Sequence, residues 1–112
     1  MDTNYLIENC GLTQKQIDRY RKAHIIEDSR DMSDDFIRDL GLAVSMEGVG
    51  ISLTEIQQYL EMKREPEKNR GKMLKFWEEK RKSALDQLHD SQKSLDLIDF
   101  YRYELKGINA VG

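Results

Sequence analysis

Residues 67–106 read EKNRGKMLKFWEEKRKSALDQLHDSQKSLDLIDFYRYELK, with no proline and a single glycine, Gly71. Alternate steps of three and four from Leu74 select Leu74, Trp77, Arg81, Ala84, Leu88, Ser91, Leu95, Ile98, Arg102 and Leu105, of which seven are apolar. A seam kept over four heptads predicts a long helix with coiled-coil patterning. Residues 70–106 would span about 55 Å at the helical rise, against about 26–27 Å for the diameter of a compact 112-residue domain. Such a helix needs something to bury its seam. A second copy of the same helix is the economical cover; the alternative is a fold-back onto its own domain. Pro66, among charged neighbours, marks the start. Gly107 reads as the stop, which leaves 108–112 as a flexible tail.

Upstream of Pro66 the signals are short helices and caps. Leu6, Ile7 and Cys10 lie at helical spacing, and Gly11 punctuates. Thr13 with Gln16 three residues later forms a capping-box pattern, followed by apolar Ile17 and Tyr20. The apolar pair Ile25-Ile26 comes next. Ser33 caps a further helix, with Asp34 and Asp35 suited to its positive end and Phe36, Ile37, Leu40 and Val44 marking its buried face. Gly48-Val49-Gly50 breaks that helix; Ser52 with Glu55 opens another, carrying Ile56, Tyr59 and Leu60. The expected fold is all-α: a helix-turn-helix, a second helix pair and a long C-terminal helix. The expected division is 1–65, 66–107 and 108–112.

The net charge is −3, but the average hides a pattern. Residues 1–30 are balanced, 31–62 carry one basic and seven acidic side chains, 63–82 carry nine and four, and 83–112 carry three and five. The basic band reads either as a solvated face laced with i,i+4 pairs or as a phosphate-facing stripe. One cysteine, Cys10, excludes a disulfide framework within the chain and reads as core filler. No apolar run approaches a membrane span and no secretory leader is visible, so no membrane partner and a cytoplasmic location are expected.

Catalytic signals are absent. His24 and His89 lie far apart in sequence, and Cys10 has no nearby histidine. Gly48-Val49-Gly50 lacks the Lys-Ser/Thr that completes a phosphate loop. Cys10, His24 and His89 have no metal-ligand spacing. Neither an enzyme, a metal nor a cofactor is expected. Phe76, Trp77, Phe100, Tyr101 and Tyr103 read as seam packing or, alternatively, as the lining of a small-molecule pocket.

The helix after Thr13 would present Gln14, Lys15, Asp18, Arg19 and Lys22 outward, with Ile17 and Tyr20 inward. Glutamine can read adenine edges, and lysine or arginine can read guanine or hold phosphate. Asp18 repels phosphate but can accept from cytosine, and Arg21 suits a salt bridge or a backbone contact. A plain α-hairpin with a polar face remains the other reading.

The order of these pieces resembles the MerR family of transcriptional regulators. Gly11 to Tyr20 is similar to the turn and recognition helix that open that family. Ser33-Asp34-Asp35-Phe36-Ile37 with Leu40 resembles the start of its second helix pair. Gly50-Ile51-Ser52-Leu53-Thr54-Glu55-Ile56 is close to its Gly-aromatic/aliphatic-Ser-Leu-x-Glu-Ile signature, and the helix from about Arg70 resembles its antiparallel dimerisation helix. The resemblance implies a homodimer that grips and twists promoter DNA so that RNA polymerase engages or is blocked. It implies DNA contacts from Thr13, Gln14, Lys15, Gln16, Arg19 and Lys22, at a recognition helix spanning 13–23, and from Arg30 beyond it. It implies a dimer interface of Leu74, Trp77, Ala84, Leu88, Leu95, Ile98 and Leu105.

Three departures qualify the match. Where the family has Arg-Tyr-Tyr, this chain has Asp18-Arg19-Tyr20. The gap that would hold the β-hairpin wing is only Glu27 to Met32, too short for a full wing, with Arg30 its one basic group. No effector domain or cysteine cluster is expected after the coil. These departures imply weaker, more salt-sensitive or less specific DNA binding. They also leave open an interaction module that keeps the dimer helix, has lost the DNA grip, and acts as an antagonist or binds through its acidic 31–62 region.

Overall fold

The computed structural model describes residues 3–27 and 32–111, with side chains as far as Gly107. It contains five helices: α1 (Thr3–Cys10), α2 (Gln14–Lys22), α3 (Asp34–Gly48), α4 (Leu53–Lys63) and α5 (Pro66–Val111). There is no strand among the described residues. The chain divides into two compact units, Met1–Arg70 and Gly71–Gly112.

Local chemistry sets the helix boundaries of the first unit. Gly11 takes a left-handed φ of 69° and turns the chain out of α1. The Gln16 backbone N–H then donates to Thr13 Oγ1 (3.1 Å), and the Thr13 N–H donates to Gln16 Oε1 (2.9 Å), which completes the capping box at the start of α2. Ser33 Oγ accepts from the Phe36 N–H, and Ser52 Oγ accepts from the Glu55 N–H, both at 3.2 Å. Glu55 Oε1 accepts from the Ser52 hydroxyl at 3.2 Å. Gly50, at φ 91°, supplies the turn between α3 and α4.

The core collects one stripe from each short helix. Leu6 from α1 packs with Ile17 and Tyr20 from α2, and Phe36, Leu40, Ala43 and Met46 of α3 pack with Ile56 and Tyr59 of α4. Leu12, Ile25, Ile26 and Ile51 close the core from the connections. The α3 stripe differs from the expected one. Ile37 is half-buried and Val44 is exposed, because a residue adjacent to Ala43 is rotated about 100° away from it. Cys10 is also only half-buried.

Pro66 opens α5, where its missing N–H costs no helical bond. The first turn of α5 belongs to the N-terminal unit. Asn69 Nδ2 donates to the Met62 carbonyl at 3.0 Å, so the compact boundary falls at Arg70 and not at Pro66. The expected stop at Gly107 is not observed. Gly107 does not adopt the left-handed conformation that ends helices, and α5 continues to Val111. The side chains of 108–112, read as a tail, lie outside the described residues.

Candidate nucleic-acid interface

Helix α2 has one dry face and one wet face. Ile17 and Tyr20 are fully buried, while Gln14, Lys15, Asp18, Arg19 and Lys22 are exposed. Arg21 Nη2 donates to Thr3 Oγ1 at 3.0 Å and braces α2 against α1. Of the residues expected to meet DNA, Thr13 and Gln16 are engaged with each other in the cap. Gln14 Nε2 donates to Asp18 Oδ1 at 2.9 Å, so Asp18 holds the side chain best suited to reading a base. Lys15 and Lys22 stand in solvent. Arg30 lies outside the described residues, as does most of the Glu27–Met32 gap.

Arg19 has a partner that sequence spacing gives no hint of. Its guanidinium forms an ion pair with Glu47 at the end of α3. The Tyr20 hydroxyl donates to Glu47 Oε1 at 3.2 Å. Burial pushes the Tyr20 phenol up to about 12, the Glu47 charge and hydrogen bond push in the same direction, and Arg19 opposes them. The phenol is therefore neutral and donating at ordinary pH. Glu47 ties α2 to α3 and also neutralises the most central basic group on the exposed face of α2.

Two recesses mark the same unit. One, of about 400 Å³, is bordered by Asp35, Arg38, Asp39, Leu60, Lys63 and Arg64. Both of its carboxylates are engaged: Lys63 pairs with Asp39 at 2.8 Å and Arg38 with Asp35 at 3.0 Å. The other, of about 230 Å³, is mostly apolar and lies beside Cys10, Leu12, Ile37, Leu40 and Val44. No group of three or more metal-ligating side chains occurs among the described residues, and no described helix is long and apolar enough to cross a membrane.

The expected dimer seam is solvent-facing in the single chain. Leu74, Ala84, Leu88, Leu95, Ile98 and Leu105 are exposed and Trp77 is half-buried. Leu85 and Leu97, absent from that list, are exposed as well. Leu85 follows Ala84 directly and widens the stripe. The aromatic residues fall into two edge-to-face pairs, Phe76–Trp77 and Phe100–Tyr101, each with ring centroids 5.2 Å apart. Twenty-four residues of one helix separate them, about 36 Å, so the two pairs of one chain do not line a common small-molecule pocket. The Lys80 ammonium sits over Phe76, 5.3 Å from the ring centroid. No family model, curated protein or solved structure matches this chain.

Proposed function

We propose that the chain is a dimeric DNA-binding transcriptional regulator of MerR type, acting with RNA polymerase at promoters. The observation that carries this reading is the division of α2. A capped helix buries Ile17 and Tyr20 against α1 and leaves Gln14, Lys15, Arg19 and Lys22 exposed. This is the arrangement a recognition helix requires, with its base-reading residues near the N-terminus and the other helix bracing it. Lys15, Arg19 and Lys22 supply phosphate contacts, and Gln14 reads a base edge once it is released from Asp18.

Dimerisation follows from α5. Leu74, Leu88, Leu95 and their seam neighbours gain little by remaining in water. The charge pattern favours an antiparallel pair. Residues 66–82 hold seven basic and three acidic side chains, and 83–106 hold three and five. Antiparallel pairing sets the basic half of each helix against the acidic half of its partner, whereas parallel pairing would stack basic on basic. The resulting pair carries two copies of α2, as a two-fold DNA site demands.

The second reading is a dimeric interaction module without DNA binding, and the Arg19–Glu47 ion pair favours it. A fluorescent duplex from upstream of the chain's own gene, titrated at two salt concentrations, separates the two. Binding that weakens steeply with salt supports the regulator. Absence of binding at the lower salt overturns it and leaves the interaction module.

A further inference from the structure

The seam of α5 sets a register as well as a period. With Leu74 at heptad position a and Leu105 at d, antiparallel pairing sets each a residue beside a d residue of the other helix. Full overlap of the two seams puts Leu74 against the partner's Leu105, Trp77 against the partner's Arg102 and Ala84 against the partner's Leu95. Sliding one helix by a heptad in one direction sets Arg102 against the partner's Arg70 and Leu105 against the partner's Glu67. Sliding it the other way carries Leu74 to the partner's last residue, Gly112. Full overlap alone covers every seam residue with another and stacks no like charges within the seam.

That register brings the two aromatic pairs of α5 together, although in one chain they lie about 36 Å apart. Phe76 and Trp77 come level with the partner's Phe100 and the partner's Tyr101 to within about 3 Å along the coil. The sides of the helices agree as well. The two-fold axis of an antiparallel pair runs across the coil, so the flank carrying g on one helix adjoins the flank carrying g on the other. Lys80 and Tyr101 are both g residues, and at full overlap Lys80 stands beside the partner's Tyr101. Phe76, at c, lies on that same flank, with the half-buried Lys80 5.3 Å from its ring centroid. Tyr101 is 58% exposed, with Phe100 edge-on beside it.

We propose that Tyr101 of each chain closes over the Lys80 ammonium of its partner. Each end of the dimer then holds a lysine between two rings, Phe76 of its own chain and the partner's Tyr101. This contact rests on the dimer read above. A second copy is the fitting occupant because the basic half of α5 meets its acidic half only in another α5, and the ring that completes the clasp arrives at the right level and on the right flank. An ammonium is attracted to an aromatic face. Parallel pairing would bring Lys80 level with the partner's Lys80 and leave both Tyr101 rings about 30 Å away, so the clasp selects direction and register together. On the e flank Glu78 comes beside the partner's Asp99; Arg102 pairs with Asp99 at 3.3 Å within each chain and offsets that repulsion.

A double-mutant cycle read by sedimentation equilibrium of the full chain tests the clasp, with Lys80→Gln, Tyr101→Gln and the double variant. The two positions lie about 30 Å apart on one helix, so coupling between them arises only across the partner. With two clasps per dimer, either single variant should raise the dimer dissociation constant about 5- to 30-fold. The double variant should rise no further than the larger single effect, and Tyr101→Phe, which keeps the ring, should dissociate as the wild type does. Glutamine is a good helix former, and circular dichroism checks that helix is retained. Single variants without effect, or effects that multiply in the double variant, overturn the clasp and leave the dimer standing. A wild type that is monomeric throughout overturns both the clasp and the dimer.

Discussion

Met1–Arg70 and the helix beyond Arg70 solve the same problem in opposite ways. In the first unit every short helix hides a stripe, and all the buried apolar side chains among the described residues lie between Leu6 and Tyr59. Beyond Arg70 none of the described side chains is buried, although leucines, isoleucines and aromatics recur along the helix. The first unit draws its order from its own core and caps. The second has backbone hydrogen bonds and helix-forming side chains but no core within one chain. A lone helix of this kind is marginal in water, because most helical stability in proteins comes from packing an apolar face. The contrast indicates where a partner belongs.

Core deletion puts the sharpest strain on this contrast. Phe36→Ala should cost about 3–5 kcal/mol, at any protein concentration, because Phe36 packs within its own chain. Leu88→Ala should behave differently. In a lone chain it changes stability by less than about 0.5 kcal/mol, as exposed substitutions do. In a dimer it lowers a midpoint that itself depends on concentration. Urea unfolding at two protein concentrations tells these apart. A small Leu88→Ala effect that is equal at both would break the contrast and leave α5 without a partner.

Alkaline pH probes the first unit alone. The folded state raises the Tyr20 phenol to about 12 from 10.0, so the native state holds that proton more tightly than the unfolded chain does. The stabilisation is complete below pH 10 and is lost as pH rises through 12. Tyr20→Phe should abolish this part of the pH dependence in thermal melts between those values. A wild type and variant with parallel profiles would mean that the phenol is not held buried beside Glu47 in the folded state.

The DNA reading is sharpened by Glu47→Gln. The substitution frees Arg19 and removes a negative charge beside the exposed face of α2. It should tighten duplex binding several-fold at low salt and steepen the salt dependence by about one released ion. Arg19→Ala should weaken binding and erase the effect of Glu47→Gln. The cost in stability should stay below about 1 kcal/mol, since the pair is partly exposed. Gel shifts on the four-member cycle give the coupling directly.

What was legible in the sequence was what is local. Thr13, Ser33 and Ser52 cap helices because a hydroxyl reaches an N–H only three residues away. Ile17 and Tyr20 face inward because the helical period demands it. Glu47 was not legible, because it and Arg19, 28 positions apart in sequence, are brought together by the packing of α2 and α3. Val44 was misplaced because α3 offers two overlapping apolar stripes, and the choice of Ala43 over Val44 depends on what lies opposite. Gly107 fits a helix stop by composition, but a glycine ends a helix only when it turns left-handed, and this one does not. The seam of α5 was readable as a period. Whether it is covered is a property of the assembly, which a period does not encode.

Loss of the first cap should be smaller. Thr13→Ala removes one half of the capping box and should cost about 1 kcal/mol, read in the same urea titration. A larger loss would mean that the cap also fixes the turn at Gly11.

The smallest expected effect concerns the end of the same helix. Three described residues take a left-handed φ: Gly11, Gly50 and His24, the last at 62°. Glycine does so freely, whereas other L-residues pay about 1–2 kcal/mol. At His24 the turn serves the core. It lets the Ile25 and Ile26 N–H groups both donate to the Tyr20 carbonyl, at 2.9 and 3.2 Å, and directs both isoleucines inward. His24→Gly keeps that geometry and removes the steric cost, but it also frees the unfolded chain by about 0.5–1 kcal/mol. The net gain should therefore lie between zero and about 1.5 kcal/mol. His24→Val, branched at Cβ, should lose more than the glycine gains. A destabilised glycine variant would mean that the imidazole itself holds the turn, making it a contact of the first unit that its backbone geometry does not reveal.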